Sequence, residues 1–174
     1  MAVVPYKEEK AGKKEQMAKM FNNISRRYDF LNHFLSLGID KLWRKNAIRF
    51  LEPLQPQVIL DVATGTGDFA IQAMSLHPRK ITGIDISEGM LDMGRKKVEK
   101  LKLSQKIELL KGDSENLQFG ENIFDAVTVG FGVRNFENLE KGLGEIHRVL
   151  RPGAMLVVLE FSRPRKFPMR QLYN

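Results

Sequence analysis

Hydrophobic positions recur at helical spacing in the first part of this chain. Over residues 17–35 the apolar residues form one stripe, with Lys, Arg and Asn between them. Three polar residues interrupt the stripe, namely Asn22, Asn23 and Ser25. We predict that it divides there into two helices, one of these residues acting as N-cap. Residues 39–51 form a further amphipathic pattern, so three helices are predicted before the first strand.

From residue 58 the pattern changes to short apolar runs rich in Val and Ile, which are typical of strands buried on both faces. Strands are predicted over 58–63, 80–85, 106–113, 124–130 and 154–161. Helical patterns separate most of them, including one that Ser87 caps and one over roughly 137–149. Strands that alternate with helices predict an α/β fold with a doubly wound, mainly parallel sheet. We divide the chain into a helical segment, 1–51, and an α/β core, 52–174, within one structural domain.

Composition narrows the classes of function. A chain of 174 residues with 43% hydrophobic and 28% charged residues is predicted to be one globular domain. The absence of cysteine excludes disulfides, thiolate zinc sites and thiol nucleophiles, and the three histidines have no metal-ligand spacing. The net charge of +7 is uneven, because both ends are basic and residues 51–162 carry −3. Basic ends suit an anionic membrane surface or partner; nucleic acid is disfavoured because stacking aromatics do not alternate with the basic residues.

A glycine loop follows the first strand. Gly65, Gly67 and Ala70 match the G-x-G-x-x-G/A turn that joins a strand to a helix, and Asp85 lies 20 residues beyond Gly65 at the end of the second strand. Small residues let a ligand approach the backbone, and the carboxylate accepts hydrogen bonds from ribose hydroxyls. This arrangement predicts a ligand that contains adenosine, either a dinucleotide such as NAD or S-adenosylmethionine.

Acidic residues favour the second ligand. The carboxylates of Asp61 and Asp68 flank the loop, where they would repel a pyrophosphate and attract an ammonium or sulfonium group. Asp113, at the end of the third strand, is placed to meet the adenine amino group. A helix-capping role stays open for Asp68 and is expected for Ser114 and Glu115.

Longer motifs carry a family resemblance. The segments DVATGTGD, GIDISEGMLDMGRKK, GDSENLQF, FDAVTVGFGVRN and EIHRVLRPGAMLVVLEFSRP resemble the class I methyltransferases, which have a Rossmann-like sheet. NNISRRYDFLNHFLSLGIDKLWRK and GFGVRN are similar to the ubiquinone/menaquinone biosynthesis C-methyltransferases (the UbiE/MenG family) in particular. The resemblance covers about residues 17–168. It implies transfer of a methyl group from S-adenosylmethionine to a ring carbon of a prenylated quinol, demethylmenaquinol or a ubiquinol precursor.

The resemblance also implies site residues. Family binding positions fall on Thr66, on Asp85 and on Asp113-Ser114. The full set of predicted cofactor-binding residues is Asp61, Gly65, Thr66, Gly67, Asp85, Ile86, Met90, Asp113, Ser114 and Gly130.

Catalysis requires an electron-rich ring carbon, and ionising the quinol hydroxyl supplies that density. We assign stabilisation of the phenolate to Arg134, which stays protonated, and orientation of the hydroxyl to Asn135. Tyr28, in the family-like YDFLN segment, is a further candidate. The proton acceptor is left open among water, Asp29 and His33.

Members of this family continue beyond the fifth strand with a helix and two more strands. We therefore expect a C-terminally truncated chain that lacks strands six and seven, leaves strand five at an open edge and can self-associate there. A cytoplasmic location with peripheral contact at the inner face of the membrane fits the basic ends. Two alternatives stay open, an O- or N-methyltransferase on a soluble metabolite and a non-catalytic module that binds S-adenosylmethionine or nucleic acid.

Overall fold

The computed structural model of this chain describes residues 12–35 and 39–161, with the side chains of residues 12–25 and 39–161. Its helices and strands, in chain order, are α1 (Lys13–Leu35), α2 (Ile39–Arg49), β1 (Val58–Val62), α3 (Asp68–Ala73), β2 (Lys80–Asp85), α4 (Glu88–Lys100), β3 (Ile107–Lys111), β4 (Phe124–Gly130), α5 (Leu139–Val149) and β5 (Leu150–Leu159). Short 3₁₀ turns cover Glu52–Leu54, Met74–Leu76 and Val133–Asn135.

The five strands form one parallel sheet in the order β3-β2-β1-β4-β5. The chain builds outward from β1 to β3 and then returns to place β4 on the other side of β1, where Leu60 pairs with both Thr82 and Val127. This order confirms the predicted doubly wound fold. It also puts the topological switch point between β1 and β4, where ligands of open α/β sheets bind beyond the carboxyl ends of the strands.

The sheet is covered on both faces, which explains its almost unbroken apolar strands. Ile59 of β1 packs with Ile48 of α2 and Leu91 of α4 on one face, and Leu60 packs with Ile146 of α5 on the other. All five of these residues are at most 2% exposed. Buried apolar surface contributes about 25 cal/mol per Å², so these two layers hold the carboxyl ends of the strands in place.

The predicted break in the first helix is wrong, because α1 runs unbroken from Lys13 to Leu35. The polar residues that suggested it have partners that a helix can provide. Asn22 accepts hydrogen bonds from the Ser87 hydroxyl (2.7 Å) and the Gly89 N–H (2.9 Å) at the start of α4. The Ser25 hydroxyl donates to the Asn22 carbonyl (3.0 Å) within the same helix. Two α-helices therefore precede β1 among the described residues.

Strand β5 begins earlier than predicted, at Leu150, because the chain enters the sheet directly after α5 and pairs with Phe124 before a register shift. It lies at one edge of the described sheet, as expected, with Met155 and Val158 partly exposed. Self-association through this edge stays a prediction.

The basic C-terminal residues 163–174 lie outside the described residues and the basic N-terminal end is described in part, and the membrane or partner contacts predicted for both ends stay predictions. Within the described part of the chain, none of the helices combines the length and the apolar character that crossing a bilayer requires.

Two glycines of α5 test the packing of this helix against its surroundings. A Cβ on Gly142 would lie 2.5 Å from a ring carbon of Phe136, whereas a Cβ on Gly144 would meet nothing within 4 Å. We expect Gly142→Ala to destabilise the protein by about 1–3 kcal/mol through overpacking. Gly144→Ala should stabilise it by about 0.8–1 kcal/mol, the helix-propensity difference. Urea unfolding midpoints that shift in the same direction for both variants would contradict this packing.

Candidate functional site

The loop between β1 and α3 turns through three residues with positive φ, namely Ala63 (55°), Gly65 (57°) and Gly67 (79°). The Thr64 N–H donates to the Ile84 carbonyl of β2, and the Gly67 N–H donates to the Thr64 carbonyl, both at 2.9 Å. A left-handed alanine costs on the order of 1 kcal/mol and persists only where its surroundings enforce it. The loop is therefore held rigidly at the switch point, with free space beside Gly65 for a ligand.

Asp85, the last residue of β2, joins this loop to the start of α4. Its carboxylate accepts the Gly65 N–H (2.9 Å) through one oxygen and the Ser87 N–H (2.8 Å) through the other. The Ser87 hydroxyl then caps α4 by accepting the Met90 N–H, as predicted. Burial raises the pKa of the Asp85 carboxyl, and the backbone hydrogen bonds offset only part of that rise.

Asp61 lies inside β1 and is 1% exposed. Its carboxylate accepts hydrogen bonds from the hydroxyls of Thr64 (2.6 Å) and Thr128 (2.7 Å), and from the Ala70 N–H. Removal from water nevertheless raises its pKa to about 6, against which the hydrogen bonds act, and nearby Asp85 adds to the rise. The site thus contains a desolvated acid that a cationic ligand group would stabilise in its ionised form.

Two chambers meet at Ala63, one apolar and one polar. The apolar chamber is lined by Met17, Phe21, Ala63, Ile84, Asp85, Ile86, Gly112, Ser114, Gly132, Asn135 and Phe136. The polar chamber is lined by Arg44, Asp61, Ala63, Thr64, Gly65, Thr66, Asp68, Phe69, Gly130 and Phe131. An elongated ligand with a flat apolar end and a charged end matches this pair, which is the shape and chemistry of S-adenosylmethionine.

The structure brings together most of the predicted binding residues. Asp85, Ile86 and Ser114 line the apolar chamber with the predicted catalytic residue Asn135. Asp61, Gly65, Thr66 and Gly130 line the polar chamber. Gly67, Met90, Asp113 and Arg134 line neither of these two chambers in the described part of the chain. Gly67 is instead the N-cap residue of α3, and Met90 is a buried residue of α4.

The loop after β3 differs from expectation. No helix begins at Ser114 or Glu115, so the predicted capping role there is wrong. Glu115 is buried and accepts the N–H groups of Glu137 and Asn138 (both 2.9 Å), which fixes the segment before α5. The carboxylate of Asp113 accepts a hydrogen bond from Lys14 (2.8 Å), so in this structure its charge is directed to α1.

Asp68 does not present the repelling carboxylate that was predicted beside the loop, because it pairs with cations of the protein. One carboxylate oxygen pairs with Lys97 and the other lies 3.4 Å from a guanidinium nitrogen of Arg44. Lys97 also donates to the Thr66 hydroxyl (2.9 Å). The charge of Asp68 is therefore compensated within the protein, and Asp61 is the acid in the polar chamber that lacks such a cationic partner among the described contacts.

The first half of α1 covers the apolar chamber with Met17 and Phe21. Lys14 pairs with Asp113 and Glu115, both at 2.8 Å, and Lys13 donates to the Phe136 carbonyl (2.7 Å). These contacts fix the amino end of α1 beside the loops after β3 and β4. The apolar stripe of α1 therefore does more than pack the core, since it also forms one wall of the site.

Arg134 lies on an exposed aromatic cluster at the edge of the site, formed by Trp43, Phe131 and Phe161. Phe131 lines the polar chamber and stacks on Phe161 at a centroid distance of 4.7 Å, and Trp43 meets Phe161 edge-on at 5.7 Å. The Arg134 guanidinium lies 5.4 Å from the Phe161 centroid and pairs with Glu160 (2.9 Å). Phe131 has a φ of 56°, and strain at an aromatic residue is typical of functional sites.

Sequence reasoning missed Arg44, Phe131 and Phe161 as site residues. These residues are far apart in the chain and lie on α2, after β4 and after β5, so no local spacing connects them. Tyr28, Asp29 and His33 lie outside the described side chains, and their predicted roles stay predictions.

Comparisons with known proteins agree with this geometry. The model of the ubiE/COQ5 methyltransferase family matches residues 8–174. The chain is 54% identical over 174 residues to "Demethylmenaquinone methyltransferase" of Bacteroides fragilis, covering 99% of this chain and 70% of that protein. It is 42% identical over 164 residues to "Ubiquinone/menaquinone biosynthesis C-methyltransferase UbiE" of Geotalea daltonii, covering 93% and 70%.

A solved structure supports the same fold and cofactor. The crystal structure of a SAM-dependent methyltransferase from Aquifex aeolicus superposes with a TM-score of 0.58 and 27% identity, covering 66% of this chain. The chain spans 63% of the length of that protein.

Proposed function

The chain belongs to the ubiE/COQ5 methyltransferase family, and from this premise we propose that it methylates a ring carbon of a prenylated quinol, with demethylmenaquinol as the preferred substrate. It is an S-adenosylmethionine-dependent methyltransferase, as the sequence predicted. The observation that carries the substrate proposal is the exposed aromatic cluster, because Phe131 connects it directly to the polar chamber.

The residues present fit the cofactor in one orientation. The apolar chamber, with Ile86 and Ser114, would hold the adenine, and the carboxylate of Asp85 would accept hydrogen bonds from the ribose. Asp61 would face the ammonium group in the polar chamber. When bound, the cofactor supplies an electrophilic methyl group on its sulfonium.

Exposed apolar side chains near this site could contact both the ring and the prenyl tail of the quinol. Trp43, Phe131 and Phe161 offer ring faces on which a quinol can stack. Ile39 and Leu42 of α2 are 44% and 55% exposed and continue the apolar surface from Trp43 along the helix. We propose that this face of α2 contacts the prenyl tail, and that residues 1–51 form the substrate-side segment, with peripheral membrane contact through the basic ends.

Arg134 is proposed to stabilise the phenolate. A phenol has a pKa near 10, so at neutral pH a fixed cation beside the hydroxyl favours the ionised, electron-rich ring. Glu160 accepts a hydrogen bond from the guanidinium, which holds it beside Phe161. The role predicted for Asn135 in orienting the hydroxyl stays a prediction, since this residue lines the apolar chamber, which is assigned here to the adenine.

The test is incorporation of a labelled methyl group. We expect any turnover by this chain to be low and confined to quinols, highest with a short-chain demethylmenaquinol, lower with a ubiquinol precursor, and none with catechol or a small amine. Methylation of catechol or the amine alone would support the alternative of an O- or N-methyltransferase. Nucleic-acid binding that falls steeply with salt, without methylation of any substrate, would support the non-catalytic module.

Arg134→Ala should lower kcat by roughly 10- to 100-fold, the scale of one charge-assisted hydrogen bond, with cofactor affinity almost unchanged. Arg134→Lys should restore only part of the rate, since lysine lacks the planar fork. Arg151→Ala is the matched control, because Arg151 forms a similarly exposed pair with Asp125 at the opposite end of the strands. An equal loss of cofactor affinity in Arg134→Ala would place Arg134 in the cofactor site instead.

A further inference from the structure

Arg44 of α2 is a buried cation at the wall of the polar chamber. Its side chain is 9% exposed, and its terminal Nη2 pairs with Asp40 one turn earlier on the same helix. The Nε atom is buried and has no hydrogen-bond partner, and it is the one buried side-chain atom of this kind in the described part of the chain.

An unpaired N–H on a buried guanidinium is costly. Leaving a buried donor without a partner forfeits its hydration without replacement, and the cost is greater when the group is charged. Asp40 and Asp68 both contact Nη2, and the Nε–H, which lies beside Nη2 in the planar guanidinium, is left without a partner. The position therefore has a donor set that the protein itself does not fill.

Arg44 could replace its contact with Asp68 by a contact with another anion. Asp68 lies 3.4 Å from the Arg44 Nη2, and Lys97 pairs with it more closely. If Arg44 turned away from Asp68, that carboxylate would keep a cationic partner. The guanidinium could then receive another anion without leaving Asp68 or Asp40 uncompensated.

The polar chamber that contains the Arg44 cation also contains a negative charge. Asp61 is a carboxylate from β1 without a cationic partner among the contacts described above, and Arg44 comes from α2. A cation and an anion on separate elements of one small chamber complement a zwitterion. The amino-acid end of the cofactor is such a group, with an ammonium and a carboxylate on one carbon.

We propose that Arg44 binds the carboxylate of the methionyl end of S-adenosylmethionine. The inference deepens the proposed function, but it rests on the cofactor and not on the quinol. Arg44 would exchange its long contact with Asp68 for this carboxylate, and Asp40 would keep the guanidinium in position.

The test compares S-adenosylmethionine with decarboxylated S-adenosylmethionine, which keeps the sulfonium and the amine and lacks only the carboxylate. Calorimetric titration of the wild-type chain should give an affinity for S-adenosylmethionine about 10- to 100-fold higher than for the decarboxylated form. In Arg44→Gln that difference should fall to about threefold or less. Because this substitution removes the guanidinium that pairs with the buried Asp40, the double variant Asp40→Asn/Arg44→Gln is measured beside it.

Arg49→Gln, on the exposed end of the same helix, is the control and should keep the wild-type difference. Wild-type protein that binds the two ligands equally would overturn the assignment, as would an Arg44→Gln variant that loses affinity for both to the same extent. If neither variant folds in thermal melts, Arg44→Lys, which keeps the charge beside Asp40, should still show a reduced difference. Absence of quinol methylation by a chain that discriminates between the ligands would count against the proposed substrate only.

Discussion

Replacing Asp61 with asparagine is expected to stabilise the protein at neutral pH and to weaken its binding of S-adenosylmethionine. The buried carboxylate has a pKa raised to about 6 by loss of hydration. That rise corresponds to roughly 3 kcal/mol of destabilisation once the group is ionised. Asparagine removes the charge, and the hydroxyls of Thr64 and Thr128 can reorient to accept as well as donate. We expect a net gain of about 1–3 kcal/mol in the free energy of unfolding.

The gain in the free energy of unfolding of Asp61→Asn over the wild type should increase with pH. The ordinary pKa of aspartate is 3.8, so between pH 4 and pH 6 the folded state holds a proton at Asp61 that the unfolded state has released. The contribution of Asp61 to stability therefore falls as pH rises through this window and stays constant above it. Asp61→Asn should match the wild type near pH 4 and exceed it at pH 8. Asp85 has a raised pKa as well and its charge adds to the rise at Asp61, so the difference between the two proteins reports Asp61 together with this interaction.

Urea unfolding at pH 4.5 and pH 8 measures this difference, and Asp125→Asn is the control of opposite sign. Burial would raise the pKa of Asp125, but hydrogen bonds from the N–H groups of Val58 and Gln57 and from Arg151 lower it overall. Its substitution should therefore destabilise the protein at pH 8, with a smaller loss at acid pH. Calorimetry should show that Asp61→Asn binds S-adenosylmethionine about 10-fold more weakly. A variant that is less stable at pH 8 and binds normally would contradict both the desolvation and the ammonium assignment.

Local patterns predicted the sheet because each strand carries its own signal. The runs from Val58 and from Lys80 are buried on both faces, so apolar residues follow one another without alternation and mark the strands directly. The start of β5 was missed because Pro152 and Gly153 resemble a turn, yet the segment still pairs with β4 through a register shift. The helix α1 was divided wrongly because Asn22 has its partners on α4, about 65 residues away. Propensity was overridden there by a tertiary contact.

The residues of the site also fall into those that local patterns predicted and those that depend on tertiary contacts. The positions of Gly65 and Asp85 follow from a strand–turn–helix unit, and a hydrogen bond of 2.9 Å joins them in the structure. The charge of Asp68 is compensated by Arg44 and Lys97, which come from two other helices. The spacing of these residues in the chain does not predict that they lie together. Residues on one βαβ unit were therefore predictable, whereas the partners that compensate charge across elements were not.

Removing the Asp85 side chain is expected to weaken cofactor binding more than Asp61→Asn does. Asp85→Ala should weaken binding of S-adenosylhomocysteine by roughly 1.5–3 kcal/mol, the range for hydrogen bonds to a charged group. The structure adds a second consequence, because the same carboxylate accepts the N–H groups of Gly65 and Ser87. Loss of both acceptors should lower the free energy of unfolding by about 1–3 kcal/mol while the sheet remains folded.

The weaker binding could come from loss of a hydrogen bond to the ribose or from loss of support for the glycine loop. A ligand that lacks the 2′-hydroxyl of the ribose separates these two causes. If Asp85 accepts from the ribose, the wild-type chain should bind S-adenosylhomocysteine about 10-fold more tightly than its 2′-deoxyribose analogue. Asp85→Ala should bind both with equal, reduced affinity. Asp92→Ala, an exposed acid on α4 that pairs with Arg95, should behave as the wild type. A variant that keeps the 10-fold preference would show that Asp85 acts only by holding the glycine loop, and the ribose assignment would then have to move to another residue of the apolar chamber.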